Sequence, residues 1–592
     1  MPGFIAHIGK EKILFAPETR TKLVVEKIDS LLGYQIERRV VNKFMNDRLF
    51  IDTGKYTIVL DGIVLNNHEL MEQYKALTWQ NCIAKMYEQD GDAFFNAFRG
   101  SFSGMLYDKA QDKWLIYTNH IGDKQVFVYH TPEGYIFASE MGFIADTCKL
   151  QGWPMTLNET GAYFTMTYGF CIENLTLIKE IAKLPAGHYY KLQKGKFEEI
   201  QYHRFTNKPK HMTIEEAVEG IDKYFRQSIK RAFDKDREYG YRHIACLSGG
   251  LDSRMTVWVA HQMGYTDQLN ITYSQSGYLD FSIAQQIATD LHHDWLFKPL
   301  DGGDCIKDID AITGITYGSA NFFGLAHGMS MERLINYENL GIFHTGQLGD
   351  KTIGTFFKNI EHNPEYKVGQ GAYSLELIDR VRDYKFKYDY ENEEIFCLYT
   401  RGFTGANVGL LTYQENSESY SPFADVDFLE FTYSIPVELR YNHKIYIDWV
   451  LEKYPEAGEY IWESTRKKVQ QFENRKPRTM KVFGYEVPHY SEPEFKVYFR
   501  GFMKRHFSFR KKNQSESSTL TLSSKYYMNP IDYWYQTNPF LREFMDSYWR
   551  KNEHLLPNNQ MGEDMAHLYE DCVLYDKLQA MSVLAAMKLI KE

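Results

Sequence analysis

Cysteine is scarce, with seven residues in 592, at positions 82, 148, 171, 246, 305, 397 and 572 and no CxxC pair among them. That spacing argues against a disulfide framework and fits a reducing, cytoplasmic compartment. Positive charge is also in deficit, 68 Lys and Arg against 78 Asp and Glu, for a net charge of −10. Proteins that track phosphate backbones carry the opposite balance, so no nucleic-acid partner is expected. No uncharged apolar run approaches the roughly 18 residues of a membrane span. The N-terminus also lacks the charged start and apolar core of a secretory signal. What is abundant is ordinary: 44% apolar and 25% charged residues, as in soluble globular chains. The 44 Tyr and 39 Phe read as packing rather than a stacking platform for bases. At 592 residues the chain exceeds one core, and two or more domains are expected.

The pattern changes along the chain. From about 55 to 140, short runs rich in β-branched and aromatic residues (KYTIVLDG, SFSGMLYD, KWLIYTNH, VFVYH, YIFAS) alternate with turn residues. These spell antiparallel strands, most simply a sandwich, with NNHELMEQYKAL as a short helix between them. A polar stretch near 203–217 closes this half. Thr213 and Glu216 have the spacing of a capping box, so a helix is predicted to start there. Beyond it, helical patterns alternate with buried-looking strands at 242–247, 269–274 and 340–346, which implies a parallel sheet. The stretch 504–524 is basic and then Ser/Thr-rich and reads as a mobile loop or a docking element, and the last 17 residues read as an amphipathic helix.

The second half opens with IACLSGGLDSRMTVWVA at 244–260. An apolar strand runs into Ser-Gly-Gly-Leu-Asp-Ser, after which Met255, Trp258, Val259 and Met263 recur at helical spacing. Unpaired N–H groups of a first helical turn, two glycines permitting close approach, and the hydroxyls of Ser248 and Ser253 suit the phosphates of a nucleotide. Asp252 beside phosphate calls for a bridging cation, most naturally Mg²⁺. No GxxxxGK[ST] occurs, so this is not the usual P-loop. A turn that merely caps a helix is the plainer alternative.

LSGGLDSR resembles the pyrophosphate-binding loop of ATP pyrophosphatase domains, a group that includes asparagine synthetases. TGQLGDKTIG (345–354) is similar to the second metal-binding loop of the asparagine synthetase family, with Gln347 and Lys351 where acidic residues are frequent. ESYSPFAD (418–425) resembles the family segment E-x-R-x-P-F-L-D, and STRKK (464–468) the segment that holds a lysine over the reacting phosphate. In the first half, LDGIVLNNHEL, FRGSFSGMLYD, NHIGDKQVFVY, FASE and the segment 163–190 follow in order the landmarks of the glutamine amidotransferase domains fused to those synthetases. The resemblance spans roughly residues 1–470.

It implies an Ntn-hydrolase-like antiparallel β-sandwich with flanking helices over 1–208, and a doubly wound parallel sheet with helical additions over 209–592. Leu247, Ser248, Gly249, Gly250, Leu251, Asp252, Ser253 and Gly346 are expected to bind ATP, and Asp252 and Asp350 to share Mg²⁺. Glu418 is expected to accept the proton of an attacking amine, and Lys468, with Lys467 as the alternative, to offset phosphate charge. Glutamine-using members carry a Cys at position 2, where this chain has Pro2. The family's glutamine-holding Glu is Ile63 here, and a family Arg is His120. The first half is therefore expected to lack glutaminase activity, as in β-lactam synthetases and lasso-peptide cyclases, and to serve as a platform or a reused pocket. The implied reaction joins a small-molecule or peptide carboxylate, activated as its acyl-adenylate, to an amine. An asparagine-type synthetase using glutamine or ammonia, and a non-catalytic member, are the alternatives; a homo-oligomer is compatible with any of them.

Overall fold

The computed structural model describes residues 2–20, 22–354, 356, 366–471, 479–482, 485–488 and 522–591. The stretch 504–521 lies outside them. The first half holds two six-stranded antiparallel sheets. One is built from β1 (Gly3–Gly9), β2 (Leu23–Ser30), β3 (Tyr34–Val41), β8 (Phe127–Thr131), β9 (Gly134–Ala138) and β10 (Ile181–Lys183), in the order β10-β8-β9-β1-β3-β2. The other contains β4 (Leu49–Asp52), β5 (Tyr56–Val64), β6 (Gly100–Asp108), β7 (Lys113–Thr118), β11 (His188–Gln193) and β12 (Lys196–Gln201), in the order β12-β11-β7-β6-β5-β4.

Alternation along the strands explains the layering, because successive side chains leave opposite faces. In β5, Ile58 and Leu60 pack on Trp79, Ile83 and Met86 of the helix Trp79–Asp90. Between them Val59 joins Phe4, Met105, Ile116 and Phe137 in the core between the sheets. On the outer face of the other sheet, Ile5, Ile136 and Ala138 meet Phe143 and Ile144 of the helix Met141–Gln151. The arrangement is helix, sheet, sheet, helix, which is the sandwich that the sequence predicts.

The second half starts as expected. Thr213 Oγ1 accepts from the Glu216 N–H (3.2 Å), and the Glu216 carboxylate accepts from the Thr213 N–H (2.8 Å), at the head of the helix Ile214–Glu238. Strands β13 (Arg242–Cys246), β14 (Gln268–Ser274), β15 (Asp294–Pro299), β16 (Leu340–His344) and β17 (Ser419–Tyr420) form a parallel sheet in the order β15-β14-β13-β16-β17. Helices cover both faces. Ala245 and Ile342 pack toward the helices Ile214–Glu238 and Leu251–Gln262, while Ile244 and Phe343 pack toward Met331, Leu410 and Tyr413. The sheet is thus doubly wound, and the point where its loops diverge beyond β13 and β16 lies where ligands bind in such folds. The terminal helix Leu574–Lys591 buries Leu578, Met581, Leu584 and Ala585. No helix among the described residues is long and apolar enough to cross a membrane.

Candidate active site

A cavity of about 760 Å³ opens at the carboxyl ends of β13, β14 and β16. Its floor is the turn between β13 and the helix Leu251–Gln262. Gly250 is the N-cap of that helix and supplies no side-chain cap, so the first-turn N–H groups are left for a ligand. Ser248 and Ser253 hold the turn in shape. Ser253 Oγ accepts from the Ser248 N–H (3.0 Å) and lies 2.9 Å from Ser248 Oγ, which in turn accepts from the Gly250 N–H (3.2 Å).

The loop after β16 closes onto this turn. A Cβ at Gly346 would lie 2.3 Å from Ser253 N and 2.4 Å from Asp252 C, and one at Gly349 would lie 2.6 Å from Asp252 Cγ. Glycine at both places is what lets the two loops touch. The contact is polar: the Asp350 N–H donates to Asp252 Oδ2 (2.9 Å) and the Tyr446 hydroxyl to Asp252 Oδ1 (2.9 Å). Burial, and then the nearby Asp350 carboxylate, push the Asp252 carboxyl well above the usual carboxylate range. Lys351 Nζ lies 2.9 Å from Asp350 Oδ2. Two carboxylates on separate loops with one lysine at their edge form a hard oxygen set that suits Mg²⁺. Replacing Gly346 with Ala is expected to push the loops apart by about an ångström. Turnover should fall about 10²-fold, and stability by about 1–3 kcal/mol, read as the rate of pyrophosphate release and the thermal unfolding midpoint.

Leu247, Ser248, Gly250, Leu251, Asp252, Ser253, Gly346 and Asp350 all line the cavity. Three other expected residues do not. Gly249 is buried behind the turn: its N–H donates to Asp280 Oδ1 (2.8 Å), and a Cβ there would meet Glu463 and Asp280. Glu418 immediately precedes β17, at the amino end of a parallel strand whose carboxyl end faces the loops. It is fully buried, its carboxylate is bound by Arg48 and Lys124 of the first half (Lys124 Nζ to Oε2 2.9 Å), and Asp61 completes the cluster 3.5 Å from Arg48 Nε. A carboxylate so enclosed cannot reach an amine in the cavity, which corrects the position expected for it. Lys468 sits on a two-residue strand paired with Ile461–Trp462, and its Nζ lies 2.6 Å from Glu459 Oε2 on the exposed side of that hairpin. Neither it nor Lys467 lines the cavity; Trp462, Ser464 and Thr465 do.

Several residues that shape the site carry no sequence signal of their own. Tyr446 reaches Asp252 from 194 positions away, and Asp280 fixes the turn from 31 positions away. Arg254, the last residue of LSGGLDSR, is a fully buried cation whose guanidinium donates to the carbonyls of Gly249 (3.0 Å), Ala457 (3.0 Å), Tyr460 (3.3 Å) and Ile461 (2.6 Å). On the wall distant from the turn, burial pulls His327 down to about 4, and the Tyr273 and Tyr413 hydroxyls lie 2.9 Å apart.

Residues 43–203 match the family model described as a glutamine amidotransferase domain. Over 440 residues the chain is 23% identical to the probable glutamine-hydrolyzing asparagine synthetase of Schizosaccharomyces pombe, covering 69% of this chain and 68% of that one. These matches support a place for the chain beside the glutamine-hydrolyzing asparagine synthetases. Two bacterial members align over shorter stretches. Asparagine synthetase 2 of Bacillus subtilis is 25% identical over 287 residues (45% of this chain, 37% of the relative), and asparagine synthetase B of Escherichia coli is 23% identical over 286 (44% and 45%). At the two interior positions where this chain departs from the family's glutaminase pattern, Ile63 and His120 are both buried. His120 Nε2 lies 3.0 Å from Asn96 Oδ1, and burial holds the ring neutral, well below its ordinary pKa.

Proposed function

We propose that the protein is an ATP-dependent carbon–nitrogen ligase that joins a small-molecule or peptide carboxylate to an amine, with release of AMP and pyrophosphate. The observation that supports this most is the convergence of Asp252 and Asp350 beneath an uncapped helix N-terminus in a cavity large enough for a nucleotide and an acceptor. In this reading ATP is a substrate whose phosphates lie along Ser248–Ser253. The carboxylate substrate attacks the α-phosphorus, an oxygen–phosphorus bond forms as the bond to pyrophosphate breaks, and the amine then displaces AMP from the acyl carbon. Asp252 and Asp350 would hold Mg²⁺, which supplies neutralisation of phosphate charge when bound.

The remaining work falls to the chain's own groups. Tyr446 orients the Asp252 carboxylate, Asp280 fixes the turn through Gly249, and Lys351 stands at the phosphate end as the cation facing the cavity from the second loop. The first half is read as a platform without glutaminase chemistry, because Ile63 and the neutral, hydrogen-bonded His120 offer none of the groups that family pattern uses. Incubating the protein with ATP, Mg²⁺ and panels of carboxylates and amines should yield AMP and pyrophosphate in equal amounts, with pyrophosphate–ATP exchange when the amine is withheld. ADP and phosphate as products would overturn the scheme.

A further inference from the structure

Away from the cavity, the helix Gln560–Asp571 ends beside a turn of the segment 366–377. Glu376, His567 and Cys572 meet there, with their potential ligand atoms all within 4.8 Å of one another. The internal order of this group is informative. His567 and Asp571 stand four residues apart on one helical face, and His567 Nδ1 lies 3.0 Å from Asp571 Oδ2. An ionised carboxylate only accepts, so Nδ1 carries a proton, and it is the neutral ring with this tautomer that offers a lone pair at Nε2. That lone pair faces Cys572 Sγ at 3.6 Å. A carboxylate behind an imidazole whose other nitrogen points at a thiol is the arrangement that orients histidines on transition metals. The surroundings are predominantly negative: the charges of Glu376, Asp576 and Asp571 act on the thiol against that of Lys577. The Lys577 ammonium is itself engaged by the carbonyls of Tyr569 and Glu570.

We propose that Glu376, His567 and Cys572 form a site for a divalent transition metal of the zinc class, with Asp571 as its positioning residue. Thiolate, imidazole and carboxylate together favour Zn²⁺ over Mg²⁺ or Ca²⁺, and three protein ligands leave the fourth tetrahedral position to water or a further ligand. Binding exchanges the thiol proton of Cys572 for the metal and releases that proton to solvent. The site would tie the turn carrying Tyr373, a cavity-lining residue whose N–H donates to the Thr167 carbonyl, to the C-terminal helices. The metal would then act on the mouth of the cavity without entering it. The trio Asp236, His243 and His344 differs, since both rings already bond the same carboxylate oxygen at 2.8 Å and all three are buried.

The test uses the full chain, stripped with a chelator and held under a thiol-free reductant. Titration with Co²⁺ should raise a near-ultraviolet thiolate-to-metal charge-transfer band that saturates at one equivalent and is displaced by Zn²⁺. Cys572→Ser should abolish the band. Asp571→Asn should retain it but require about 10–100 times more metal. No band in the unmodified protein, or a band that Cys572→Ser leaves intact, would overturn the proposal. An Asp571→Asn titration superimposable on the parent would remove Asp571 from it.

Discussion

Replacing Asp252 with Asn is expected to stop pyrophosphate formation while making the metal-free protein harder to unfold. The two effects have one origin. Asp252 is held beside Asp350, and both burial and that neighbour disfavour its ionised form, so its folded pKa lies above the unfolded value. For a carboxyl raised in this way the folded state binds more protons than the unfolded state. Stability therefore falls as pH rises from the ordinary carboxylate range toward the raised folded value, and the ionised form weighs against folding at neutral pH. Asn removes that penalty and still accepts from the Asp350 N–H, and the Tyr446 hydroxyl can turn to accept from its amide. On the proposed reading, Mg²⁺ held by Asp252 and Asp350 would reverse that balance in the parent. The expected results are a fall in pyrophosphate release of about 10²–10³-fold or more, a higher unfolding midpoint without Mg²⁺, and loss of the Mg²⁺-dependent rise in that midpoint. An active variant, or a destabilised one, would mean that the two carboxylates are not the cation's seat.

Replacing Glu418 with Ala should act in the opposite sense, mainly on the fold. Its carboxylate is the shared counter-charge of Arg48 and Lys124, all three side chains being at most 5% exposed. Removing it leaves two buried cations to share Asp61, at 3.5 and 3.7 Å. Loss of one partner from a buried ion cluster costs about 3–5 kcal/mol, which should appear as a markedly lower unfolding midpoint at neutral pH. The turnover of the protein that remains folded should change little. A general base would instead show itself as a loss of about 10²–10⁴-fold with folded content unchanged. The two readings of this glutamate are therefore separated by measuring rate per folded molecule beside the melting curve.

What local pattern encodes, the sequence displays openly. The strands from 56 to 138 show their β-branched and aromatic runs, the Thr213–Glu216 box marks its helix, and SGGLDS announces the strand-to-helix turn that floors the cavity. Strands β8 and β9 of the first sheet show in the same runs, but its N-terminal strands were hidden, since β3 reads YQIERRVV, a charged string, yet lies almost wholly buried. Its charges are neutralised across strands and within the strand, Glu37 by Lys27 (2.8 Å) and Arg39 (2.7 Å), which no local window reveals. Glu418 fails for the same reason on a larger scale. Motif spacing sets it beside the cavity loops, but Arg48 and Lys124, 370 and 294 positions earlier, decide what its carboxylate does. Lys468 lies on the expected segment, and a reversal of that hairpin aims it outward to Glu459.

The Arg254 guanidinium gathers oxygens from two parts of the cavity wall, one from the turn after β13 and three from the segment leading into the Trp462 hairpin. It works as a rivet through two plates. Neither the turn after β13 nor the segment before Trp462 can shift without dragging the other, so the two walls of the cavity move as one piece.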